Sequence, residues 1–124
     1  MKRILVIDDD TQIREMLREI LQREGYQVED AENGKDALAL QRERPCDLII
    51  TDLIMPEQDG VETIMEFIQR DPAAKIIAIS GGGRIGPRDY LEMAEALGAQ
   101  KTFYKPFKRQ EIVAAVKELL GDEA

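Results

Sequence analysis

The stretch Ile4-Leu5-Val6-Ile7-Asp8-Asp9-Asp10 sets an apolar run directly against three carboxylates. A second run, Leu48-Ile49-Ile50-Thr51, ends at Asp52. Strands of a parallel sheet are covered on both faces, so they read as continuous apolar runs and not as alternating ones. Open α/β sheets place their sites outside the carboxyl ends of the strands. Two strand ends that both stop in carboxylates therefore predict negative charge gathered at one place. Carboxylates about 4 Å apart repel by roughly 4 kcal/mol per pair at an effective dielectric near 20. A hard divalent cation is the usual remedy.

Working outward, five apolar strand candidates alternate with five helical patterns. Thr11 to Glu24 places Ile13, Met16, Leu17, Ile20 and Leu21 on one stripe at the helical period, and Gly25 suits the position just past its end. Asp10 or Thr11 is the expected N-cap. Gln27 to Asp30 is a polar strand of the kind found at sheet edges. Asn33-Gly34 opens a short helix that runs to about Glu43 and is stopped by Pro45. Asp59-x-x-Glu62 has capping-box spacing before a helix with Val61, Ile64, Met65 and Ile68 facing inward. Lys75 to Ile79 is the fourth strand, and Pro87 suits the first turn of a fourth helix ending near Leu97-Gly98. Lys101 to Tyr104 is the fifth strand, followed by a helix carrying Ile112, Val113, Val116, Leu119 and Leu120. Strict βα alternation implies an α/β fold with a doubly wound five-stranded parallel sheet and helices on both faces. Polar second and short fifth strands belong at the edges, as in the flavodoxin-like order 2-1-3-4-5. That order makes strands one and three neighbours and brings Asp8, Asp9 and Asp52 into one pocket. Ser80, ending strand four, and Lys105, ending strand five, line its other side.

Composition narrows the function. A chain of 124 residues is the size of one domain. The tail Gly121 to Ala124 is too short to form another, so one domain over residues 1–124 is expected. The net charge of −8 argues against nucleic acid as a partner and favours cations and basic protein surfaces. The single cysteine, Cys46, excludes an internal disulfide and fits a cytoplasmic setting. With no histidine, Ser-His-Asp catalysis and histidine metal ligation are impossible. Only four apolar residues follow Lys2-Arg3, too few for a signal peptide, and no run approaches membrane-spanning length.

Four pieces in order resemble the receiver domain of two-component response regulators: Ile4 to Asp10, then Asp52-Leu53-Ile54-Met55-Pro56-x-x-Asp59-Gly60, then Ile79-Ser80-Gly81, then Tyr104-Lys105-Pro106-Phe107. Each alone is a weak signal; their succession at strand ends is specific. The resemblance covers essentially the whole chain and implies a stand-alone receiver without an output domain, expected to be monomeric. It implies that Asp52 accepts a phosphoryl group from a histidine kinase or a histidine phosphotransfer protein. Asp8, Asp9, Asp52 and the Ile54 backbone carbonyl would hold Mg²⁺, whose preference for oxygen donors such a set meets. Ser80 and Lys105 would engage the phosphoryl oxygens, and the Lys105-Pro106 bond would be cis. Such a domain is a signalling switch and not a conventional enzyme, although it promotes its own aspartyl phosphorylation and dephosphorylation. Its output passes to a downstream protein target.

Three positions depart from the family pattern. Thr102, three before the lysine, stands where the family often has a switching aromatic residue, and Phe103 and Tyr104 after it should point to alternate faces. The glycine-rich run Gly81 to Pro87 is expected to be mobile, either as a conformation-sensing loop or as a passive connector. Ile54 and Gly82, at positions that modulate phosphoryl lifetime in the family, cannot orient an attacking water. A haloacid-dehalogenase phosphatase would need Asp-x-Asp-x-Thr, and here Thr11 directly follows Asp10. A flavodoxin-like FMN carrier would need a hydroxyl- and glycine-rich loop after strand one, where this chain has carboxylates, and no P-loop is present. The remaining alternative is a receiver-like interaction module that signals without phosphorylation.

Overall fold

A computed structural model describes residues 2–53, 60–81, 92 and 94–121. Its elements are β1 (Arg3–Ile7), α1 (Thr11–Arg23), β2 (Gln27–Ala31), α2 (Gly34–Glu43), β3 (Leu48–Asp52), α3 (Gly60–Arg70), β4 (Ile76–Ser80), β5 (Lys101–Tyr104) and α5 (Arg109–Leu120). Residues 94–97 are helical and are labelled α4. The five strands are parallel in the order β2-β1-β3-β4-β5, as the sequence predicts. Strand four begins one residue later than expected and takes in Ser80.

The apolar strands face two cores. Ile4 and Val6 of β1, Leu48 and Ile50 of β3, and Ile77 and Ile79 of β4 pack with Leu17 and Leu21 of α1 and with Ile112, Val116 and Leu120 of α5. Leu5, Ile7, Ile49, Ile76 and Ala78 face the opposite way, onto Ala37 and Leu38 of α2 and Ile64 and Phe67 of α3. Alternation by two within a continuously apolar strand is what a sheet covered on both faces requires. The edge strand β2 buries only Val28 and Ala31.

Turn chemistry holds the helices in place. Asp10 caps α1, its side chain accepting from the Gln12 amide at 2.9 Å, and Asn33 caps α2 by accepting from the Asp36 amide at 2.8 Å. Gly25 follows α1 with φ 96°, the left-handed conformation that favours glycine. Asp59, expected in a capping box, lies outside the described residues, as does Pro87.

The helix stripes are narrower than the periodicity suggests. Met16 is 39% exposed and Met65 44%, although both were expected to face inward. Each sits about 100° around its helix from a fully covered neighbour, Leu17 or Ile64, which turns it away from the sheet. Ile13 and Ile20 pack at the margin of their core, and Ile68 at the margin of the other.

Candidate functional site

The carboxyl ends of the three central strands and of β5 converge. Asp8 follows β1 directly, and Asp52 ends β3, the strand beside it in the sheet. Their side chains are buried, at 2% and 5% exposure, while Asp9 points into solvent. One carboxylate oxygen from each of Asp8, Asp9 and Asp52 lies within 4.8 Å of the others. The predicted acidic cluster therefore exists, and strand order creates it.

Lys105, just past β5, reaches between the two buried acids. Its Nζ lies 2.9 Å from Asp8 Oδ2 and 3.2 Å from Asp52 Oδ2. A lysine partner for Asp52 is what the family resemblance implies; the shorter contact with Asp8 is new. The Asp8 carboxylate also accepts from the Asp10 amide at 2.9 Å. Burial lifts the Asp8 carboxyl above its ordinary pKa, an effect that the Asp10 amide and the Lys105 ammonium reduce and the Asp9 charge reinforces. For Lys105, burial works against the charged form. The hydrogen bond to Asp8 and the charge of Asp52 outweigh it, and the ammonium is held above its ordinary pKa. Lys105 thus stays cationic, and its ammonium offsets part of the burial that pushes the Asp8 carboxyl toward neutrality. The Lys105-Pro106 peptide bond is cis, as the resemblance implies.

Ser80 ends β4, opposite Tyr104 in the strand register, and its carbonyl accepts from the Lys105 amide at 2.8 Å. Its hydroxyl is fully buried and has no hydrogen-bond partner among the described residues. Buried hydroxyls are nearly always satisfied, so this one is an exception among the described residues. Ser80, Lys105, Asp8, Asp9 and Asp52 are thus brought together. Thr102 is not: it lies opposite Ala78, further from the strand end, and its hydroxyl donates to Glu95 Oε1 at 3.1 Å. Phe103 packs into the core beneath α1 and α5 while Tyr104 is exposed, so the two do point to alternate faces. Ile54 and residues 82–87 lie outside the described residues.

Two glycines shape the site in ways that sequence reading misses. A Cβ on Gly60 would run into the Asp52 carbonyl oxygen and lie 2.5 Å from Leu53 Cα. A Cβ on Gly81 would strike Lys105 Cβ and lie 2.9 Å from its Cγ and Cδ. The backbone of α3 and the stem of Lys105 approach so closely only because these positions lack side chains. Arg14 was missed as well. It donates to the Asp8 carbonyl at 2.7 Å and to Asp30 Oδ2 at 3.3 Å. A cation in the first turn of a helix opposes the helix dipole unless it is paired, and that was its available signal.

The donor set suits a hard cation: three carboxylates in reach of one another, with oxygen donors alone and no histidine or thiol nearby.

Known proteins share this sequence pattern and fold. The family model described as "Response regulator receiver domain" matches residues 4–117. The transcriptional regulatory protein ResD of Bacillus subtilis (strain 168) is 41% identical over 118 residues, covering 95% of this chain and 48% of ResD. The chain thus spans about half the length of that relative. The chemotaxis protein CheY of Halobacterium salinarum is 34% identical over 119 residues, covering 96% of this chain and 97% of CheY. The crystal structure of the response regulator protein TrrA from Thermotoga maritima, in complex with Mg²⁺-BeF, superposes with a TM-score of 0.84 at 37% identity, covering 96% of this chain and 99% of that one. The chain belongs to the response regulator receiver domain family, the phosphorylation-dependent switches of two-component signalling.

Proposed function

We propose that Asp52 is the phosphoryl acceptor and that Asp8, Asp9, Asp52 and the Ile54 carbonyl hold Mg²⁺ during the transfer. The observation that carries this reading is the half-buried Lys105 ammonium on Asp52, with a buried hydroxyl that has no partner among the described residues at the end of the neighbouring strand. In the proposed step a carboxylate oxygen of Asp52 forms the bond to phosphorus. The phosphorus–nitrogen bond to the donor histidine breaks, and the electron pair leaves with the imidazole. Mg²⁺ would supply positive charge to the phosphoryl oxygens in this acidic pocket. The Ser80 hydroxyl donates to one phosphoryl oxygen. Lys105 exchanges its contact with Asp52 for another phosphoryl oxygen and stays cationic throughout. TrrA in complex with Mg²⁺-BeF supports the reading by analogy, since its chain is similar over nearly its full length.

Receiver domains interact with histidine kinases or phosphotransfer proteins and with downstream targets. On this chain the donor's histidine must approach Asp52 from the carboxyl-end face. Its protein would therefore cover the rim formed by α1, where Met16 is exposed, and by Pro106 and Phe107. Output would leave through α4, β5 and α5, where Tyr104 is 48% exposed. Among the described residues no helix is long and apolar enough to cross a membrane. A cytoplasmic location is proposed on the single unpaired thiol, Cys46.

Incubation with acetyl phosphate and Mg²⁺, read by intact-mass measurement, tests the reading. The wild type should gain the mass of one phosphoryl group and Asp52→Asn none. An unmodified wild type would leave the non-phosphorylated interaction module as the surviving alternative.

A further inference from the structure

Asp8 is the most enclosed of the three acids, yet its backbone stands at the point where a strand becomes a turn. Its amide makes the last bond toward the edge strand, to the Ala31 carbonyl at 3.1 Å. Its carbonyl, one residue beyond β1, takes the 2.7 Å bond from Arg14 Nη1. Arg14 is itself held: Nε donates to Asp30 Oδ2 at 3.3 Å and Nη2 to Thr11 Oγ1 at 3.3 Å. Its side chain is only 14% exposed. Asp30 is held from its other oxygen by Arg18 Nη2 at 2.6 Å. A planar guanidinium with several donors in fixed directions can serve these three acceptors at once, whereas an ammonium cannot hold them in one rigid geometry.

We infer that Arg14 is a positioning residue of the metal and phosphoryl site, bracing the Asp8 backbone between α1 and the end of β2. The inference rests on the reading that Asp8, Asp9 and Asp52 hold Mg²⁺. Groups that orient ligands from behind are worth about ten- to a hundredfold in metal affinity where they have been removed. Charge alone makes the opposite prediction. Arg14 is a cation beside a cation site, so its removal should tighten Mg²⁺ if long-range electrostatics governed. Because Asp30 neutralises it at contact distance, the loss of the brace should win.

Arg18 supplies the control. It joins the same helix to the same Asp30 and donates to the Val28 carbonyl at 2.8 Å, and it has no recorded bond to Asp8. Loosening α1 from β2 in general would therefore follow from either substitution, but loss of the brace only from one.

The test is a Mg²⁺ titration of the whole chain, followed by the amide shifts of Asp8 and Asp9, for wild type, Arg14→Gln, Arg14→Lys and Arg18→Gln. Thermal melting without the ion is recorded in parallel. Arg14→Gln should bind Mg²⁺ about tenfold more weakly, Arg14→Lys should fall between it and wild type, and Arg18→Gln should retain the wild-type affinity even where its melting temperature falls. If Arg14→Gln does not fold, Arg14→Lys carries the test in the same direction. Arg14 variants that bind as tightly as wild type or more tightly would overturn the inference, as would an equal weakening by Arg18→Gln. A wild type that binds no Mg²⁺ would overturn the proposed function and this inference together, whereas a normal wild type with unaffected Arg14 variants removes the inference alone.

Discussion

Replacing Lys105 with methionine keeps much of the stem and removes the ammonium from between Asp8 and Asp52. At the 4.8 Å that bounds their nearest oxygens, two full charges repel by roughly 3.5 kcal/mol at an effective dielectric of 20. Removing one partner of a buried ion pair ordinarily costs about 3–5 kcal/mol, because the remaining charge stays buried. Asp8 offers an escape by taking up a proton. Relative to an unfolded chain of ordinary pKa, that limits the cost to about 4 kcal/mol at pH 7 and about 1.5 kcal/mol at pH 5. The expected loss at neutral pH without Mg²⁺ is therefore about 3 kcal/mol, or about 11 °C in melting temperature for a chain of this length. The sign with pH follows from Asp8, whose folded pKa is already raised and rises further without the lysine. A raised carboxyl pKa makes the folded state bind more protons than the unfolded one, so stability is lost as pH climbs through the window above 3.8. The deficit of Lys105→Met should accordingly be small at pH 5 and widen toward pH 8. Millimolar Mg²⁺ should restore the variant by more than it stabilises the wild type, because the ion separates the same two acids. Melting curves by circular dichroism across pH, with and without Mg²⁺, measure all of this. A variant as stable as wild type at pH 7 without the ion, or a deficit that does not change with pH, would refute the account of Lys105 as the counter-charge.

Asp9→Ala should lose the Mg²⁺-dependent rise in melting temperature while the metal-free protein becomes as stable as wild type or more so. The gain should stay below about 1 kcal/mol because Asp9 is exposed and screened; a metal-free variant less stable than wild type would contradict this. Gly81→Ala should fold at a cost of about 1–3 kcal/mol and withdraw the Lys105 ammonium from the acids, since the new methyl group occupies the path of the lysine stem. Slowed labelling by acetyl phosphate with Mg²⁺ affinity largely kept is the expected result, and unchanged labelling would show that the stem can pass elsewhere. Asp10→Ala should cost about 1 kcal/mol through loss of the α1 cap, without altering Mg²⁺ affinity. A comparable fall in affinity would mean that Asp10 itself belongs to the site.

The sequence alone determined the architecture, because the constraint is local. A strand covered on both faces must be apolar at every position, and Ile4 to Ile7, Leu48 to Ile50 and Ile76 to Ile79 satisfy that within their own few residues. It also located the acids, since Asp8 and Asp52 follow such runs directly, and it found Ser80 and Lys105 through their order at successive strand ends. Burial of a helical residue depends on what covers it, and here periodicity overreached at Met16 and Met65. The contact of Lys105 with Asp8 was not legible. Lys105 and Asp8 lie 97 positions apart and meet at 2.9 Å. Arg14 braces the Asp8 backbone from near the start of α1, where its charge calls for a partner without saying which, and Gly60 and Gly81 matter only because another segment passes within van der Waals distance. Strand order and register set these approaches, and both arise from packing the whole sheet between two helical layers. A residue's neighbours along the chain reveal its preferred conformation and which face it offers; only the folded sheet decides which distant charge stands opposite it.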